Sequence, residues 1–369
     1  MSKRSIWFLL IIVILLIMAG LVWRSVHSGT AQATPTASLA STTLPSNNPS
    51  QPPLATATTA IPQEQPITII PLSGPASESK SEISGMAWYN DTLILLPQYP
   101  SRFGAGDGAV FALAKDDILA FLDGTQIGPL SPFEIPVVAP GIEQIDGFEG
   151  FEAIAFSGNQ VFLTIEAKPD NMIGYLVIGS IDPGLSELRL DSTNLTELPP
   201  QAQIDNMTDE ALLITPNGVL SFFEANGLKN NPSPIVHTFT LSGESLGTLP
   251  MTSLEYRLTD VTPLDDANLF WGINYFYPGD TKLTPDIDPL AAQFGEGQTH
   301  AASSAVERLV QFQYSEAGIV LTTTPPIQLQ LLAEDEARNW EALAYLDQRG
   351  FLLATDKFPT TILAFVSLP

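Results

Sequence analysis

One phrase recurs five times along the chain after Pro66: an acid, a small apolar strand, a polar turn, then a second apolar strand ending in a polar group. The copies run from Glu82 to Gln98, Glu152 to Glu166, Glu210 to Glu224, Asp260 to Asn274 and Glu341 to Asp356. First and last polar residues are 16, 14, 14, 14 and 15 positions apart, which makes each copy one hairpin of nearly fixed size. The starts lie 70, 58, 50 and 81 residues apart, room for four strands per unit plus loops. No stretch of about ten residues carries helical periodicity. The pattern predicts an all-β fold, a β-propeller of five blades, or of six if the long first or fourth unit hides one.

Two further strand candidates follow each of the first four hairpins: GAVFALAKDDILAFL and FEIPVV; GYLVIGSI and SELRL; PIVHTFTL and a strand near SLGTLPM; VERLVQFQY and IQLQLLA. The fifth unit has TILAFVSL alone before the chain stops at Pro369. Residues 67–70 are the candidate for its missing outer strand, so that the two termini close the ring and remove an open edge.

The N-terminus is of another kind. Residues 6–23 run without a charge, and 18 residues at about 1.5 Å each approach the thickness of a hydrocarbon core. Lys3 and Arg4 precede the run, which points the N-terminus to the cytoplasm and the rest of the chain outward. The expectation is a single-pass plasma-membrane anchor over 1–27. A cleaved signal peptide is the alternative, although the run exceeds the usual length of about 7–15 apolar residues. Residues 28–66, rich in Thr, Ser, Pro and Ala, read as a disordered stalk that leaves 67–369 as the propeller domain.

Charge excludes several functions. The chain holds 15 Lys+Arg against 40 Asp+Glu, no Cys and 3 His. A net charge of −25 repels nucleic-acid phosphates, and thiol chemistry is impossible. Residues 67–369 carry 12 basic and 39 acidic side chains, so the acidity belongs to the outer domain.

In a propeller the first strand of each blade lines the central channel, and Glu82, Glu152, Glu210, Asp260 and Glu341 would face one another as a ring. Five close carboxylates repel one another. Bound Ca²⁺ resolves the conflict, because oxygen donors without His or Cys select a hard cation. The alternative is that the acids bond loop N–H groups and hold no metal. Glu166, Glu224, Asn274 and Asp356 end the neighbouring strands, and Glu149 lies beside Glu152. Arg257, three residues before Asp260, can reach the same face. The polar segment 278–304 is either a lid carrying Asp280, Asp286, Asp288, Glu296 and His300 or a solvated insertion. No nucleophile elbow, phosphate loop or zinc-protease motif is present in the sequence.

The phrases Glu82-Ile-Ser-Gly-Met-Ala, Phe148-Glu-Gly-Phe-Glu-Ala-Ile-Ala, Glu307-Arg-Leu-Val, Asn339-Trp-Glu-Ala-Leu-Ala and Ala354-Thr-Asp resemble the phytase-like (esterase-like activity of phytase) propeller proteins, and the SdiA-regulated propellers are similar. The resemblance implies an extracytoplasmic propeller in which calcium binds and hydrolyses phosphate esters, with Glu82, Glu152, Glu210, Glu341 and Asp356 as the matching acids. The chain departs from the family's Glu-Gly-Leu-Ala pattern, with Glu-Ala at Glu152, Glu210 and Glu341. Residues and resemblance together lead to a membrane-anchored propeller that binds Ca²⁺ at an acidic channel mouth as a ligand-binding or interaction module. A calcium-dependent phosphate- or carboxylate-ester hydrolase is the alternative, and a purely structural surface protein is a third reading.

Overall fold

The structure, a computed structural model, describes residues 61–333 and 336–369. The expected anchor and stalk up to residue 60 lie outside the described residues. Among the described residues no helix is long and apolar enough to cross a membrane.

Each recurrent phrase forms an antiparallel strand pair. The strands closing the sheets are β1 (Thr68–Ile70) and β21 (Leu363–Ser367); the pairs are β2 (Ile83–Tyr89) with β3 (Thr92–Pro97), β6 (Phe148–Ser157) with β7 (Gln160–Ala167), β10 (Asp209–Thr215) with β11 (Gly218–Phe223), β14 (Arg257–Val261) with β15 (Leu269–Phe276), and β19 (Trp340–Leu346) with β20 (Gly350–Thr355). Outer strands extend them: β4 (Ala109–Ala114) and β5 (Phe133–Val138), β8 (Ile173–Ile181) and β9 (Leu188–Leu198), β12 (Ile235–Phe239) and β13 (Ser245–Pro250), then β16 (Val306–Ser315) and β17 (Gly318–Leu321). The last sheet runs β1-β21-β20-β19, with Thr68 opposite Phe365 and Ile70 opposite Leu363. A parallel pairing of β5 with β9 joins the first two groups into one eight-stranded sheet.

The first strands form a closed circuit: β2 packs on β6, β6 on β10, β10 on β14, β14 on β19, and β19 back on β2. This is an all-β, propeller-type arrangement. Alternating apolar residues supply the layers between sheets; Phe222, Phe270 and Phe312, for example, are buried in one cluster drawn from β11, β15 and β16. The circuit is tight enough that a Cβ on Gly85 in β2 would lie 3.1 Å from the Glu152 carbonyl oxygen of β6.

Three expectations are corrected. The segment Lys115–Leu122 is a helix; it buries Ile118 and packs Leu119, Phe121 and Leu122 on the first core, a short amphipathic face that the strand reading absorbed. In the fourth unit the outer strand is β17, whereas Ile327–Gln328 (β18) makes only a short side pairing with β16. Finally, the chain before Pro66 is already docked. Gln65 bridges Leu329, and the Glu64 carboxylate accepts from the Thr299 and His300 backbone N–H groups and lies 2.9 Å from His300 Nδ1.

Candidate functional site

Pairing register decides which residues are equivalent. In every first hairpin the ladder is interrupted near its start, after Ile83, Phe151, Asp209, Leu258 and Trp340. A bulge leaves a residue unpaired and re-aims its side chain. The first residues past these five places are Ser84, Glu152, Glu210, Thr259 and Glu341; in β6 and β14 the residue after, Ala153 and Asp260, is unpaired as well. Two hydrogen bonds carry the equivalence independently of the ladder. Ser84 Oγ donates to the Phe151 carbonyl at 2.7 Å and Thr259 Oγ1 to the Trp340 carbonyl at 2.6 Å, in each case the residue before the next strand's acid.

The ring of five acids expected from spacing is therefore three acids, a serine and a threonine. Glu82 falls two residues early, in the left-handed region at φ 42°, and pairs with Arg102 at 2.9 Å and Lys357 at 3.6 Å. Asp260 falls one residue late, and both of its oxygens are taken by backbone. They accept from the Val261 N–H at 2.8 Å and the Leu343 N–H at 2.6 Å, which ties β14 to β19. This is the backbone-bonding alternative for that residue.

The same register sorts the second set. Opposite Ile83, Phe151, Asp209, Leu258 and Trp340 stand Pro97, Ile165, Phe223, Asn274 and Thr355, so the next residues outward are Gln98, Glu166, Glu224, Tyr275 and Asp356. Asn274 is replaced in the series by Tyr275. Its amide donates to the Glu255 and Arg257 carbonyls at 2.8 and 3.0 Å and its oxygen accepts from Arg308, a fully used backbone clamp. Glu149 contributes its backbone carbonyl, which accepts from the Tyr99 hydroxyl.

The two acid sets meet around one guanidinium. Arg257 Nη1 lies 2.8 Å from Glu224 Oε1 and 3.9 Å from Glu341 Oε1, and Nε lies 3.1 Å from Asp280 Oδ2. Arg257 Nε is buried at ion-pair distance without hydrogen-bond alignment, whereas the buried carboxyls of Glu210 and Glu224 face each other, and the proton that burial keeps on Glu210 is donated to Glu224. Gln98 donates to Glu152 Oε1 at 3.0 Å, and Thr208 Oγ1 to Glu166 Oε2 at 3.1 Å. Gly150, with φ 137°, makes room for Gln98: a Cβ there would lie 2.3 Å from Gln98 Cγ.

With more carboxyls than cations, burial decides protonation. Desolvation pushes Glu152 and Glu210 well above the usual carboxylate range, reinforced by the charges of Glu166 and Glu224 respectively. Burial also raises Glu341 well above that range, although Arg257 works against it. Glu166 is pushed up to about 8 by burial and then by Glu224. Glu224 is raised by burial and drawn back by Arg257. For Arg257, desolvation favours the neutral form, but Glu224, Glu210 and Glu341 outweigh it and hold its pKa above the ordinary value. Near neutral pH the cluster thus combines a fixed cation with carboxyls that retain protons.

A cavity of about 630 Å³ opens on this cluster. Six acids line it, Glu152, Glu210, Asp280, Glu336, Glu341 and Asp356, against two bases, Arg257 and Lys357. Tyr275, Tyr277 and Phe358 add aromatic surface. From the long insertion only Asp280 reaches the cavity; Asp288 instead caps the helix Pro289–Phe294 and pairs with Arg308 at 2.7 Å, and His300 faces Glu64. Spacing alone missed Ser84, Tyr275 and Lys357; the register of the hairpins was the signal that would have found the first two.

The donor chemistry suits a hard cation, being wholly oxygen. Among the described residues, however, no group of three His, Asp or Glu side chains could hold a metal ion, and the cation that these carboxyls face is Arg257.

No family model and no curated protein matches the chain. Solved structures with some likeness include a glucose dehydrogenase (10% identity, TM-score 0.42, 80% of this chain and 99% of that one) and an α-L-arabinofuranosidase from Clostridium thermocellum (9%, TM-score 0.44, 75% and 82%). A β-xylosidase is another (10%, TM-score 0.45, 80% and 93%).

Proposed function

We propose that this chain is a membrane-anchored, outward-facing propeller of five four-stranded blades, and that its channel-mouth cavity is a binding site for a positively charged ligand. The blade count is supported by the five inner strands in a closed circuit and by β1 completing the last sheet. The observation that carries the ligand reading is the excess of six acids over two bases around the cavity. A bound cation supplies the counter-charge that the two bases leave short and favours the ionised form of these carboxyls.

Calcium is the second reading, favoured by the all-oxygen set of carboxyls around the cavity; the ion would need carbonyl or water oxygens to complete its shell. Thermal unfolding of the full-length chain at fixed ionic strength, with CaCl₂, spermidine or NaCl alone, tests both. A ligand that binds only the folded state raises the midpoint. A rise with either multivalent cation, lost in Glu210→Gln, supports the site; equal midpoints in all three salts contradict it. Turnover of an aryl phosphate or aryl ester, abolished in Glu152→Gln, would instead favour a hydrolase.

A further inference from the structure

The cavity reading can be narrowed to a ligand class. A metal ion fills a small part of about 630 Å³, a volume in the range of small-molecule sites. The cavity also carries features that a metal does not use: Tyr277 and Phe358, respectively 50% and 58% exposed, are aromatic rings lining an acidic site. Aromatic faces beside carboxylates are the pairing that receives organic ammonium groups.

The chain supplies its own example. Lys357 lies at the cavity wall with Nζ 5.7 Å from the centroid of the Phe358 ring and 3.6 Å from Glu82 Oε1. An alkylammonium is thus already seated near a ring and a carboxylate, on a side chain that is 43% exposed. Deeper in, the buried Glu210 adds a further carboxyl to the cavity wall. By contrast, the guanidinium of Arg257 is enclosed by Glu224, Glu341 and Asp280 and is a fixed part of the wall.

We infer that the cavity takes an alkylammonium compound of the diamine or polyamine class, and that Lys357 occupies the rim as a resident competitor for the Phe358 face. This rests on the cationic-ligand reading above. The consequence is that shortening Lys357 helps the ligand. A cation–ring contact at an exposed site corresponds to roughly two- to five-fold in affinity, which sets the expected effects.

Isothermal titration of the full-length chain with spermidine, at fixed ionic strength, is the test. Lys357→Met should bind spermidine roughly two- to five-fold more tightly than the parent, and Phe358→Ala about as much more weakly. Phe358→Leu, which keeps the apolar bulk without the π face, should also weaken binding and separates the ring's charge from its size. Tighter binding of CaCl₂ than of spermidine, with neither rim variant affecting spermidine, would overturn the ammonium assignment and leave the cationic site standing. Loss of affinity in Lys357→Met would overturn the competitor role. No saturable binding of either cation would overturn the reading beneath.

Discussion

Replacing Glu166 with Gln should stabilise the protein by an amount that grows with pH. Burial, with the charge of Glu224 behind it, pushes the Glu166 carboxyl up to about 8, whereas in an unfolded chain it titrates near about 4.3. Between those values the folded state retains a proton that the unfolded state has lost. The stability associated with Glu166 is therefore fully present below about pH 4 and declines as pH rises toward 8. One proton corresponds to about 1.4 kcal/mol per pH unit, so the parent loses about 3 to 4 kcal/mol from this group by pH 7. Glutamine keeps the shape, needs no proton, and still accepts from Thr208 Oγ1, now 3.1 Å from Oε2. Urea unfolding of parent and variant from pH 4 to 8 measures the difference. The curves should coincide at the acid end and separate by about 3 kcal/mol at pH 7. A gap independent of pH, or a parent more stable than the variant at pH 7, would refute the assignment of a proton to this buried carboxyl.

Other substitutions probe the remaining parts. Arg257→Met removes the one cation enclosed by the cluster and should cost about 3–5 kcal/mol in urea unfolding at neutral pH, more than Arg257→Lys. Asp260→Asn leaves one of the Val261 and Leu343 N–H groups without an acceptor; a loss of about 1–3 kcal/mol with unchanged spermidine affinity is expected, and a large affinity change would return Asp260 to the cavity. Ile70→Ala, at a β1 position 1% exposed opposite Leu363, should cost about 2–5 kcal/mol if the N-terminal strand closes the last sheet.

Much of the fold was legible because a hairpin of constant length is a periodic signal, and because the fifth unit was visibly short of an outer strand. Residues 67–70 and β1 coincide for that reason. The site was legible only in part. Glu152, Glu210 and Glu341 share one bulge position, but Glu82 and Asp260 were aligned with them by charge alone, and an offset of one or two residues in a strand changes where a side chain points. Ser84 and Thr259 hold that position without being acids, so no search for recurring charge could find them. Arg257 was recognised as near the site, yet its centrality depends on Glu224, Glu341 and Asp280, which converge on it from three other segments. The helix Lys115–Leu122 escaped because eight residues give barely two turns of periodicity.

The central claim is that the channel-mouth carboxyls keep protons until a cation arrives. Calorimetric titration of the full-length chain with spermidine at pH 7, in two buffers of different ionisation enthalpy, tests this most directly. Cation binding favours the ionised carboxyls, so saturable binding should release protons and the observed heats should differ between buffers, with the release reduced in Glu210→Gln. Saturable binding with the same heat in both buffers, or no saturable binding, would contradict the account.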